Sequence, residues 1–101
     1  MQANTLVLSA CIAEAEALRY TPAGLPALNL TLEHESEVSE AGGPRTVKVV
    51  VKAVAFGVLA ERLAKQAIAS RWKFSGFIAN VGQGARQGKA VVFHIQDFLQ
   101  D

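Results

Sequence analysis

Cysteine is nearly absent from the chain. Cys11 is the only one in 101 residues, which excludes an internal disulfide and fits a reducing cytoplasm. Charge is sparse, at 19% of residues, yet no uncharged stretch reaches the roughly 18 residues that a membrane span needs. The apolar-rich segment from Thr5 to Ala17 has no basic region before it and is interrupted by Glu14 and Glu16, so it does not read as a signal peptide. The two histidines, His34 and His94, have neither cysteine nor carboxylate neighbours at metal-ligand spacing. Gly82-x-Gly84 lacks the Lys-Ser/Thr of a nucleotide-binding loop, and no nucleophile–base pair stands out. These absences lead us to expect a non-enzymatic cytoplasmic protein without cofactor, metal or membrane contact.

What is present is core material. Half of the residues are apolar, the opposite of a disordered composition, and a chain this short is expected to form one domain over 1–101. The net charge of +1 conceals a polarity along the chain. Residues 1–44 hold one base against six acids, a net of −5. Residues 45–89 hold nine bases against Glu61 alone, a net of +8, and Asp97 and Asp101 follow. A basic middle segment in a nearly neutral chain predicts a localised cationic face and a polyanionic partner.

The hydrophobic periodicity predicts an all-β fold with one helix. Leu6, Leu8 and Ile12 alternate with Val7, Ser9 and Cys11 in a first strand from Thr5. Tyr20 to Pro26 holds two prolines and Gly24, a hairpin turn. Leu28, Leu30 and Leu32 share one face of a second strand, and Asn29, Thr31 and Glu33 the other. Glu37 to Arg45, with Gly42-Gly43-Pro44, reads as a loop, followed by a third strand in which Val47, Val49 and Val51 oppose Lys48 and Lys52. Leu59, Ala60, Leu63, Ala64, Ala67 and Ile68 form the stripe of a helix of about three to four turns. A fourth strand places Trp72, Phe74 and Ile78 inward and Phe77 outward; a glycine-rich loop carries Arg86 and Lys89; Ala90 to Leu99 is the fifth strand. Five strands with a helix between strands 3 and 4 is the layout of the OB-fold barrel, whose second and third strands and adjoining loops bind oligonucleotides.

Asn4 to Ser9, Arg19 to Pro26, Leu32-Glu-His-Glu-Ser36, Glu40-Ala-Gly42, Ser70-Arg71 and Gly76-Phe-Ile78 follow one another in an order that resembles the bacterial single-stranded DNA-binding OB family, and within it the primosomal members. The resemblance spans most of the chain, and the turn followed by Leu-Glu-His-Glu-Ser is its most specific part. It implies single-stranded DNA binding, a homodimer, and partnership with a primosomal helicase and other primosome proteins, as an accessory subunit of replication restart. It also implies ligand contacts from Arg19 in the first hairpin, Arg45 entering strand 3, and Lys89 before strand 5. The chain departs from the pattern at Lys48, where a relative carries tryptophan, and across Val81 to Arg86, where a relative has two lysines.

Bases on strands and loops neutralise phosphates, and aromatic rings stack on bases for about 1–3 kcal/mol each. The expected nucleic-acid contacts are therefore Arg19, Tyr20, Arg45, Lys48, Lys52, Lys73, Phe77, Arg86 and Lys89. Trp72 is assigned to the core with Phe74, and Cys11 to an inert strand position. Two other readings use the same fold. A general single-strand-binding protein would carry a long Gly/Pro/Gln-rich tail with an acidic tip, whereas this chain stops at Asp101. A protein-only interaction module would turn the basic segment toward an acidic partner.

Overall fold

Alternating apolar residues dictate strands that bury one face, and the chain answers by closing a sheet on itself. The computed structural model describes residues 2–80 and 90–101. Its elements are β1 (Leu6–Ala15), β2 (Arg19–Tyr20), β3 (Pro26–Glu40), β4 (Gly43–Phe56), α1 (Val58–Ala64), β5 (Arg71–Asn80) and β6 (Val91–Leu99). The strand order is β1-β5-β6-β4-β3-β2, and an added β1–β3 pairing closes a five-stranded barrel. The β4–β6 seam is parallel and short, with Ala53 opposite Phe93 and Val54 opposite His94. Most of the expected inner face is buried, with Ile12, Leu28, Leu30, Leu32, Phe74 and Phe93 inside, but Ile78, expected inward, is 43% exposed near the end of β5, where its backbone bonds the Asn4 side chain. Trp72 packs against this core, edge-on to Phe98 at 5.0 Å, while its Nε1–H donates to Ser70 Oγ.

The helix does lie between the third and fourth barrel strands, which are β4 and β5 here because the two-residue β2 adds an element. It is shorter than expected, seven residues from Val58 to Ala64. The remainder of the apolar stripe unwinds because β1 claims it. The Ala69 N–H donates to Ile12 O at 2.7 Å and the Ile12 N–H donates to Ser70 O at 3.0 Å, with Ala69 at φ 76°. A strand-type tether at 69–70 is incompatible with continued helix, and Ile68 is left exposed.

The expected loop at Glu37–Arg45 is not a loop. β3 continues to Glu40, β4 starts at Gly43, and Glu40 pairs with Gly43. Only Ala41 and Gly42 turn, at φ 54° and 82°, the two positive φ values that match a two-residue turn to strand twist. Pro44 is tolerated because the second edge of β4 meets no strand there among the described residues. The side chains of Arg45 and Glu40 form an ion pair, and the Thr46 hydroxyl donates to Glu37 Oε2 at 2.7 Å. β1 reaches β3 only as far as Cys11 opposite Glu33, so beyond that point β3 and β4 pair only with each other among the described residues. The projecting ribbon gives the molecule its 50 × 35 × 26 Å extents.

Candidate nucleic-acid interface

Register decides which side chains share a face, since partners in a ladder project to the same side. Along the outer face of the ribbon, Thr31 stands opposite Lys52, Glu33 opposite Val50, Glu35 opposite Lys48, and Glu37 opposite Thr46. The expected cationic face is therefore not cationic there. The acidic half and the basic half of the chain are paired strands of one hairpin, so three glutamates interleave with two lysines. Arg45 is three residues from Lys48 and pairs with Val38, which turns it to the opposite face, where it is bound to Glu40.

The remaining positions fall in separate places. Arg19 and Tyr20 form β2, opposite Ala27 and Pro26. Arg19 Nη2 donates to Asn29 Oδ1 at 3.3 Å, and Asn29 Nδ2 donates to Glu16 Oε1 at 3.1 Å, so the guanidinium is held in a polar chain. Tyr20 is 60% exposed. Lys52 Nζ donates to Thr31 Oγ1 and borders a depression shared with Glu14 and Glu16. Lys73 projects from β5 between Ser9 of β1 and Leu99 of β6. Phe77 is half-buried and stacks on His94, with ring centres 4.8 Å apart and planes 13° apart. One ring face is thus occupied already. Arg86 and Lys89 lie outside the described residues.

Two groups that the sequence pattern did not single out complete the surface. Phe56, 40% exposed, lies 6.1 Å from His94, extending the Phe77–His94 stack onto β4. Its signal was its parity with Lys48 and Lys52. Arg71 borders one open concavity of about 420 Å³ with Cys11, Glu33, Glu35, Lys48 and Val50. Its parity with Lys73 was visible, but its approach to Lys48 depends on barrel closure.

The chain has known counterparts in both sequence and fold. A family model described as "another single-strand binding protein family" matches residues 4–97. The replication restart protein PriB of Bordetella pertussis is 54% identical over 76 residues, which are 75% of this chain and 71% of the relative. The chain belongs to the PriB family of single-strand binding proteins. PriB of Nitrosomonas europaea is 32% identical over 94 residues, covering 93% of this chain and 84% of the relative. The solved PriB structure from Ralstonia solanacearum superposes with a TM-score of 0.84 at 34% identity over 98% of both chains. The wild-type single-stranded DNA binding protein of Thermus aquaticus shares the fold, with a TM-score of 0.76 at 22% identity over 97% of this chain and 50% of that one.

Proposed function

We propose that the protein binds single-stranded DNA without catalysis, as a cytoplasmic homodimeric accessory subunit of the replication-restart primosome that helps a primosomal helicase reload the replication machinery. The observation that carries this reading is the β3–β4 ribbon on a PriB-type barrel. It presents Lys48 and Lys52 on one exposed face, with Phe56 further along the same strand and Phe77 joined to it through His94, so phosphates and bases both find contacts. Tyr20 and Arg19 supply the same pair of chemistries at the first hairpin. The dimer is supported by an open edge: β1 pairs with β3 only through 11–15, so from Leu6 to Ala10 its second edge meets no strand among the described residues. Such an edge is a template for a second chain. A protein-only module remains a second reading because the outer ribbon face carries three glutamates.

Oligo-dT titration by filter binding at two salt concentrations tests the first reading. Three or four neutralised phosphates predict a slope of log K against log salt of about −2 to −3. Affinity indifferent to salt would contradict it.

A further inference from the structure

Among the described residues, half of the cations are engaged. Arg45 pairs with Glu40, Arg19 bonds Asn29, Lys52 bonds Thr31, and Arg62 lies 4.9 Å from the centre of the Phe98 ring. The side chains of Lys48, Lys65, Arg71 and Lys73 have no hydrogen-bond or ionic partner there, and three of these four converge. Arg71 and Lys73 are two residues apart on β5, so both project from its outer face, about 6.6 Å apart along the strand. Arg71 stands opposite Cys11, and Lys73 opposite Ser9. Cys11 in turn stands opposite Glu33, at the root of the ribbon, and Arg71 and Lys48 border the same concavity.

We propose that Arg71 and Lys73 form a phosphate track for single-stranded nucleic acid that continues from Lys48, across β1, onto the outer face of β5. This inference rests on the single-strand reading above and names the route. Electrostatics favours such an extension. The ribbon face alone sets Lys48 and Lys52 against Glu33, Glu35 and Glu37, so its two lysines by themselves give a polyanion little net attraction. Adding Arg71 and Lys73 sets four cations against these three glutamates and the Asp101 carboxylate beside Lys73, a balance that turns positive where a phosphate displaces Asp101. The side chains beside them on β1, Ser9 and Cys11, are small and leave a backbone room to approach. An anionic oxygen already sits at this place: the Ser9 hydroxyl, beside Lys73, donates to the Asp101 carboxylate at 2.9 Å. A phosphate oxygen would take up the same donor.

The test measures oligo-dT affinity and its salt dependence for the full chain and three variants: Arg71→Ala/Lys73→Ala, Lys48→Ala and Lys65→Ala, each first checked by thermal melting. The double variant should lose about 1.4 from the salt slope, since each phosphate on a single strand contributes about 0.7. Its affinity at low salt should fall about tenfold or more. Lys65→Ala removes one charge from the helix end and should leave the slope as it was, separating a track from general attraction. If the double variant keeps the wild-type slope while Lys48→Ala lowers it, the track is wrong and the ribbon reading stands. The track is equally wrong if the double variant keeps oligo-dT binding but loses binding to polyglutamate, which would mark an acidic-protein surface. Should the unaltered chain fail to bind oligo-dT at low salt, the underlying single-strand reading falls instead.

Discussion

Lys48 shows how much one side chain can owe to its cross-strand partner. It is exposed, but Glu35 is directly opposite and Glu33 borders the same concavity, so its charge is partly offset before a ligand arrives. Lys48→Ala should weaken single-strand binding and reduce the salt slope by roughly 0.7. Lys48→Trp should shrink the slope as well, yet strengthen binding by about 1–3 kcal/mol if a base stacks on the ring. Glu35→Gln removes the opposing carboxylate and should tighten binding with Lys48 intact. These three variants are compared in one titration series. If none shifts affinity or slope in a folded protein, the ribbon face does not meet DNA.

At the scale of elements, the tightest constraint lies where β5 crosses β6. Gly76 is buried, and a Cβ there would stand 1.8 Å from His94 O, a backbone atom that cannot swing aside. The ladder shifts register at this point, between Ser75 and Gly76, so the glycine admits a close approach of two strands. Gly76→Ala should destabilise the barrel by about 1–3 kcal/mol or more. For a domain of this size that is a fall in Tm of roughly 4–8 °C per kcal/mol, readable by calorimetry. The same strand crossing positions His94 against Phe77, so ligand affinity should fall with stability. A melting temperature within a degree of wild type would contradict this account of the crossing.

Among the described residues, β1 leaves one edge without a strand partner on the barrel, from Leu6 to Ala10. His34 reaches over from the ribbon root to use part of it, Nδ1–H donating to Ser9 O at 2.5 Å and Nε2 accepting from the Ser36 hydroxyl. The Ser9 carbonyl thus points to the open side, and Val7, two residues earlier, shares its orientation and is 58% exposed. Sedimentation at micromolar concentration should give a species of twice 10.7 kDa without DNA. Val7→Pro, which removes an N–H from the edge while staying compatible with an edge strand, should shift it toward monomer. A wild-type chain sedimenting as a monomer would rule out the dimer.

The amino-acid order alone determined the strands that build the core. Leu28, Leu30 and Leu32 can bury one face only as a strand, and Trp72 and Phe74 share a side because side chains alternate every residue. The helix position and the first hairpin turn were legible for the same local reasons. Only the tertiary structure decided where the helix stops, since Ala69 and Ser70 are taken by β1 through bonds to a residue nearly sixty positions away. It also decided that Glu37 to Arg45 is ribbon, because Ala41 and Gly42 could turn in two residues once the flanking strands had paired. The charge pattern is the sharpest case. A net of −5 followed by +8 along the chain looks like two separate surfaces. Antiparallel pairing lays the acids of β3 against the bases of β4, and closure brings Arg71 to Lys48. Electrostatics acts through space, so the face that meets a polyanion follows from strand register rather than from chain order.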